Sequence, residues 1–161
     1  MVFAPWSDRQ TDFANYFNSG YLGIIVYSVT KAYNGAKGDM SLAIAFPAVA
    51  IALHPDIRQA LPRSTATRFS KWLRANPELR TALLSSTQFL VPQVKEAVLT
   101  SLRSEWISAN NGRLIAAAKG PAIAKSDKAF DDDQRVAAFV GKWFAKVGDD
   151  REIYQQIGVR P

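Results

Sequence analysis

The chain has 161 residues, enough for one compact domain, and its hydrophobic and charged fractions of 48% and 21% are those of a folded protein. It contains no cysteine, which excludes disulfides, thiolate metal sites and thiol nucleophiles, and its single histidine excludes a multi-histidine metal cluster. The formal net charge of +6 indicates an acidic partner without identifying it.

The N-terminal residues lack the basic and then apolar segments of a secretory signal. The longest apolar run, residues 42–53, is shorter than the ~20 residues that a membrane-spanning helix needs. We therefore expect a soluble protein without a membrane partner. The absence of cysteine agrees with a cytoplasmic location.

The first part of the chain predicts two helices. Asn18 is a good N-cap for a helix whose apolar residues recur at three- and four-residue steps and that ends near Gly35 and Gly38. The run 42–53 is apolar on nearly every side, which predicts a helix at the centre of the core. Pro47 is expected to bend or divide this helix, because proline cannot donate the backbone hydrogen bond.

Shorter helices are predicted after the central one. Residues 56–61 predict one helical turn, and a longer helix is expected to begin at Ser64 or Thr65 and to end at Ala75. The Asn-Pro pair at 76–77 combines a capping residue with proline at the first helical position, which predicts the start of the next helix.

One β-hairpin is predicted after a helix that Pro92 opens. The strands are 106–109 and 113–116, and the Asn-Gly pair at 111–112 supplies the positive φ angles of a type I′ turn. The fold class predicted is therefore mainly α, a compact helical domain with one hairpin. Helices followed by a hairpin are also the order of winged-helix domains, which is an analogy of fold alone.

Two helices are predicted to close the chain. Three aspartates at 131–133 are expected at the start of the first one, where the helix dipole favours negative charge, and Gly148 is expected to end it. Asp149 is expected to cap the last helix, which Gly158 ends. Trp72 and Trp143 lie in apolar helical stripes and are predicted core residues.

The chain is expected to have three parts. Residues 1–17 form an N-terminal arm, residues 18–118 a helical core that ends in the hairpin, and residues 119–161 a linker and C-terminal helices that pack on the core.

Positive charge is concentrated in the middle of the chain. Residues 58–80 carry six basic residues against Glu78 alone. If a surface of the chain meets DNA or an acidic partner, it is expected to lie here. The alternative is a solvated helix face, because no motif that reads a nucleic-acid sequence accompanies the charge. The candidate contact residues are Arg63, Arg68, Lys71 and Arg74.

No pattern of catalytic or cofactor-binding residues is present. His54 lacks a recognisable nucleophile and orienting partner, and it is interpreted as a residue that ends a helix. The aspartates at 131–133 are interpreted as helix caps, and no phosphate-binding glycine motif occurs. We therefore expect no enzyme activity of the chain by itself and predict no cofactor or metal.

Trp6, Trp106 and Arg113 are candidate partner-interface residues. Trp6 lies in a segment without a periodic apolar pattern, so it either anchors the N-terminal arm on a partner subunit or folds back on the domain. Trp106 and Arg113 belong to the predicted hairpin.

The order of several short motifs resembles a known family over about residues 15–161. This is the middle component of bacterial three-component ABC-ATPase conflict systems, and it is similar to the small accessory subunit of Lamassu-type defence systems. Ser19 departs from the pattern, in which a proline commonly follows the asparagine. The motifs are Asn-Ser-Gly-Tyr-Leu (18–22), Ala-Leu-His-Pro (52–55), Ile-Arg-Gln-Ala-Leu-Pro (57–62), Trp-Leu-x-x-Asn-Pro-Glu-Leu (72–79), Leu-Val-Pro-x-Val-Lys-Glu-Ala (90–97), Gly-Arg-Leu (112–114), Gly-Lys-Trp-Phe-Ala-Lys-Val-Gly (141–148) and Ile-Gly-Val-Arg-Pro (157–161).

The resemblance implies a non-catalytic accessory subunit. It would join an SMC-like ABC ATPase to an effector, often a nuclease, in defence against phages or plasmids. The ATP site and the cutting site would lie on those other chains, and double-stranded DNA would be met through the complex. The alternative is a winged-helix-type DNA-binding module that uses the central basic residues.

Overall fold

The computed structural model describes residues 18–122 and 128–158, and in these residues the fold is mainly helical with one small antiparallel sheet. The mainly helical class predicted from the sequence is confirmed. The N-terminal arm, including Trp6, lies outside the described residues. In chain order the elements are α1 (Ser19–Ala36), β1 (Met40–Ser41), α2 (Leu42–Leu53), α3 (Pro55–Gln59), α4 (Phe69–Ala75), α5 (Pro77–Phe89), α6 (Val91–Arg103), β2 (Ile107–Asn110), β3 (Arg113–Ala116), α7 (Lys128–Ala145) and α8 (Asp150–Ile157).

Helices α1 and α2 form the centre of the fold. The Asn18 side chain accepts hydrogen bonds from the backbone N–H groups of Gly20 and Tyr21, at 2.7 and 3.3 Å, so the predicted cap is confirmed. Helix α2 continues through Pro47, so a division of the helix there is wrong. Most α2 residues are buried, and this packing outweighs the ~3 kcal/mol that an interior proline costs.

Helix α4 begins at Phe69, and the predicted start at Ser64 or Thr65 is wrong. The segment before α4 is held in a non-helical conformation by tertiary contacts. The indole N–H of Trp143 donates to the carbonyl oxygen of Thr67 at 2.7 Å, which uses an acceptor that a helix would need.

The predicted hairpin is confirmed, and a third strand is added to it. Asn111 and Gly112 have φ angles of 52° and 74°, as a type I′ turn requires. Strand β1 pairs with β3 with Met40 opposite Leu114, so the strand order is β1-β3-β2. The expectation of a hairpin alone is therefore incomplete, because β1 is too short to show an alternating pattern.

The C-terminal helices differ in one respect from the prediction. Helix α7 begins at Lys128, so of the three aspartates only Asp131 lies in its first turn, and Asp133 forms an ion pair with Arg58 of α3. The aspartates at 131–133 therefore do not act together as a cap. The predicted cap of α8 is confirmed, because the Asp149 carboxylate accepts from the backbone N–H of Glu152 at 3.0 Å.

The core lies between α1, α2, α6 and α7. The ring of Tyr21 lies 5.6 Å from that of Phe130, and Gly141 lies against Val29, so α1 and α7 run side by side in the same direction. Trp143 is 1% exposed and Trp72 is 5% exposed, so their predicted core positions are confirmed. No helix among the described residues has the length and apolar character needed to cross a bilayer.

Candidate functional site

The predicted basic residues all lie at the surface. Helix α4 buries its apolar side chains and leaves Lys71 and Arg74, one turn apart, in solvent. Arg68 is the residue before α4, and Arg63 lies in the loop between α3 and α4; both are exposed. The sequence therefore located a group of surface cations correctly, and their role as contact residues stays a prediction.

An aromatic cluster lies in the core beneath α4 and the loop that precedes it. Phe69 meets Trp143 and Phe144 edge to face, with centroids 5.0 and 5.1 Å apart, and Trp72 meets Trp143 in the same way at 5.5 Å. The Trp72 indole N–H also donates to the carbonyl oxygen of Ala60 at 2.7 Å. Such aromatic packing holds α4 and the preceding loop, which carry the cations, against the core.

Two further cations, Lys146 and Arg80, line this surface. Lys146, just after α7, places its ammonium 2.9 Å from the Thr65 hydroxyl, beside Arg68. Arg80 of α5 donates from Nε to the carbonyl oxygen of Ile157 at 3.1 Å and lines a cleft with Arg74. Arg80 belongs to the basic stretch 58–80 but was not named as a contact residue. The sequence reasoning missed Lys146, because the charge count along the chain does not show which segments meet in space.

A groove of about 890 Å³ lies between α1 and α7, and we call it the α1/α7 groove. Its cationic lining residues are Lys31 on α1, Arg135 and Lys142 on α7, and Lys146. Arg135 forms an ion pair with Asp132 of the same helix. The other described lining residues are Ile24, Tyr27, Ser28, Ala32, Gly35, Ala36, Thr65, Pro121, Gln134 and Ala138.

The α1/α7 groove continues into two smaller concavities. The first, of about 460 Å³, shares Thr65 and Lys146 with the groove, and the second, of about 440 Å³, shares Ser70 and Gln156 with the first. None of the described residues that line the three concavities is acidic. We call this continuous surface the basic face. Its cations outnumber the Asp132 carboxylate that is paired with Arg135 beside it, and such an excess of positive charge attracts polyanions. Its cations are Lys31, Arg68, Arg74, Arg80, Arg135, Lys142 and Lys146.

Arg113 lies apart from the basic face, in a cleft of mixed charge. The cleft has about 430 Å³, and Asp39, Asp149 and Asp150 line it together with Arg113. Burial raises the pKa of Tyr33 in this cleft. The positive charge of Arg113 lowers this pKa, and the carboxylates of Asp150 and Asp149, at the start of α8, raise it. Three carboxylates outnumber the two lining cations, Lys37 and Arg113, so this cleft offers no net attraction for a polyanion.

Trp106 and His54, which the sequence analysis singled out, contact other parts of the fold. Trp106 is half-buried, and its ring lies so close to Gly23 that a β-carbon there would be 3.1 Å away. His54 follows the last residue of α2, so its interpretation as a residue that ends a helix is confirmed. Its ring nitrogen Nδ1 also accepts from the backbone N–H of Ile57 at 3.4 Å, which caps the start of α3. Among the described residues, no group of three His, Asp or Glu side chains could hold a metal ion.

The comparisons with known proteins identify a family. The model of ABC-three component (ABC-3C) system Middle Component 3, MC3, matches residues 6–161. The chain matches no curated protein and no solved structure with which it was compared. The resemblance to middle components that the motifs indicated is thus confirmed. Because the match spans nearly the whole chain, the chain belongs to the MC3 family, the middle components of ABC-three component systems.

Proposed function

We propose that this middle component is a non-catalytic accessory subunit that bridges an SMC-like ABC ATPase and an effector, a nuclease, in a bacterial complex for anti-phage or anti-plasmid defence. The observation that carries the proposal is the family match over residues 6–161. The complex acts in the cytoplasm, and both chemical steps, ATP hydrolysis and cutting, belong to the partner chains.

The fold offers two separate surfaces for such a role. One is the basic face. We place the other around Phe89 at the end of α5 and Leu99 on α6, two large apolar side chains that are 64% and 51% exposed. Such side chains lose apolar area to solvent when a partner covers them. A bridging subunit needs two such sites, one for each partner.

The bridging role is tested by co-expression with the ATPase and effector of the same system. We expect a tagged form of this chain to co-purify both partners, and we expect the effector to lose the ATPase when this chain is omitted. A matched preparation with an inactivated Walker motif in the ATPase separates assembly from ATP turnover. Recovery of this chain without either partner, or direct association of ATPase and effector in its absence, would overturn the proposal.

A second candidate function is DNA binding by this chain, because Arg63, Arg68, Lys71 and Arg74 are all exposed and the adjoining basic face lacks acidic lining residues. In a winged-helix interpretation α6 would precede the wing β2–β3. The supporting charge, however, lies on α4 and the loop before it. This candidate therefore rests on backbone phosphates, which carry no sequence information, and contact with double-stranded DNA would occur within the complex.

A further inference from the structure

The α1/α7 groove combines an apolar floor with cations on both walls. Ala32 of α1 and Ala138 of α7 are small and half-exposed, and Ile24 and Tyr27 extend the apolar lining along α1. The helices touch closely behind this floor, where Gly141 meets Val29. The groove is therefore a shallow channel between two parallel helices that pack tightly underneath.

The length of the channel fits a short helix. Its α1 wall runs from Ile24 to Ala36. At a rise of 1.5 Å per residue this distance is ~18 Å, which is about three turns of a helix laid along it. Helices that bind in grooves place apolar side chains at three- and four-residue steps into the groove and keep their polar side at the rim.

The cations at the rim of the groove indicate a partner with negative charge. Lys31 and Lys142 stand on opposite walls and are exposed, and Lys146 lies at one end. The Lys31 ammonium lies 5.8 Å from the centre of the Tyr27 ring, a cation–π distance that keeps it beside the groove. These cations complement carboxylates that flank an apolar stripe. A DNA backbone would satisfy the cations but would leave the apolar floor without a partner.

We propose that the α1/α7 groove binds an acidic amphipathic helix of another subunit of the ABC-three component system. Apolar side chains of that helix lie on Ala32, Ala138 and Ile24, and its Asp or Glu side chains face Lys31, Lys142 and Lys146. This inference rests on the proposed bridging function, and it specifies which surface one partner occupies and the chemistry of its segment.

A photo-crosslink from the lining of the groove tests the proposal in the co-expressed complex. Gly35 lines the groove, and a β-carbon built on it meets nothing within 4 Å, so benzoylphenylalanine is accommodated there. The matched control carries benzoylphenylalanine at Gln59, which is exposed at the end of α3. We expect the Gly35 probe to crosslink a partner peptide, identified by mass spectrometry, with acidic residues beside an apolar helical stripe, and the Gln59 probe not to crosslink this peptide.

Charge reversal gives a second, independent readout. The double variant Lys31→Glu/Lys142→Glu should weaken retention of that partner about tenfold or more, because two attractive contacts become repulsive. The double variant Lys128→Glu/Arg151→Glu reverses two exposed charges that line neither the groove nor the surface around Phe89 and Leu99, and it should retain the partner. Far-ultraviolet circular dichroism confirms that both variants are folded.

The outcomes separate this inference from the bridging function. A complex that forms normally while the Gly35 probe crosslinks DNA, residues 1–17 of the same chain, a second copy of the chain or a non-acidic partner segment overturns the groove assignment only. Equal retention by the two double variants overturns it as well. A chain that co-purifies neither partner overturns both the bridging function and the groove assignment.

Discussion

Gly141 of α7 packs directly on the backbone of α1 at Val29. A β-carbon built on Gly141 would lie 2.4 Å from the Val29 carbonyl oxygen and 3.0 Å from the β-carbon of Ala32. Real β-carbons do not approach a backbone oxygen so closely, so the two helices could not keep this separation with any other residue at 141. The close contact holds together the two walls of the α1/α7 groove.

The first prediction concerns this contact. Gly141→Ala should lower the free energy of unfolding by about 1–3 kcal/mol, because the extra methyl group forces α1 and α7 apart. Urea denaturation of both proteins measures the change. The matched control is Gly35→Ala, where the added β-carbon meets nothing within 4 Å and should stabilise the chain by ~0.5 kcal/mol. Equal effects of the two substitutions would show that the helices do not pack as described.

The second prediction concerns Asn34, which ties the sheet to α1. Its amide Nδ2 donates to the carbonyl oxygens of Gly38 and Leu114, at 2.8 and 3.2 Å, and its Oδ1 accepts from the backbone N–H of Ala116 at 2.8 Å. Asn34→Ala removes all three hydrogen bonds and should destabilise the chain by about 2–3 kcal/mol in urea denaturation.

Asn76 provides the comparison for Asn34. It is also half-buried, but its side chain makes a single hydrogen bond, from Nδ2 to the carbonyl oxygen of Trp72 at 2.9 Å. Asn76→Ala should therefore cost only about 1 kcal/mol. In amide hydrogen exchange, Asn34→Ala should also speed exchange in β3, whereas Asn76→Ala should not. Similar costs and unchanged exchange would contradict the anchoring role of Asn34.

Local chemistry explains which elements could be predicted from the sequence. The caps at Asn18 and Asp149 and the turn at 111–112 are decided by hydrogen bonds and φ angles within a few residues. The start of α4 and strand β1 are decided elsewhere. The Thr67 carbonyl is held by Trp143, which lies far along the chain, and β1 exists only because β3 pairs with it.

The candidate site was predictable only in part, for the same reason. The exposed cations near α4 follow one another within a short segment, so their spacing along the chain indicates a common surface. The α1/α7 groove joins Lys31 to Lys142 and Lys146, which are separated by most of the chain. No periodic pattern connects such residues, because their proximity depends on how α7 packs on α1.

The third prediction concerns stability at high pH. Burial, assisted by the nearby Asp150 carboxylate, raises the pKa of Tyr154 to about 12. Its hydroxyl donates to the carbonyl oxygen of Ala43 at 2.6 Å. An unfolded tyrosine ionises near pH 10. The stability that the neutral Tyr154 hydroxyl contributes is therefore complete below about pH 10 and is lost as the pH rises to about 12.

Tyr154→Phe isolates this effect. At neutral pH the variant should be less stable by about 1 kcal/mol, because the hydrogen bond to Ala43 is lost. Above about pH 10 the difference between the two proteins should shrink, since phenylalanine has no proton to lose. Urea denaturation at a series of alkaline pH values measures this, and parallel stability curves to about pH 12 would contradict it.

The fourth prediction tests the second candidate function. If the cations around α4 contact DNA phosphates, the purified chain should bind duplex DNA with an affinity that falls as salt rises. The triple variant Arg68→Glu/Lys71→Glu/Arg74→Glu should then reduce both the affinity and the slope of log K against log salt, since each lost phosphate contact lowers the slope by about one. Fluorescence anisotropy with a labelled duplex measures both quantities.

The control keeps the change in charge but moves it away from this surface. Lys95 and Arg103 are exposed on α6, and Lys119 is exposed after β3, so charge reversal at these three positions changes the net charge equally. Only the α4 variant should alter the salt slope, because non-specific attraction to net charge would affect both triple variants. Equal losses in the two variants would assign DNA binding to overall charge, and an unchanged slope in the α4 variant would remove this surface as a DNA contact.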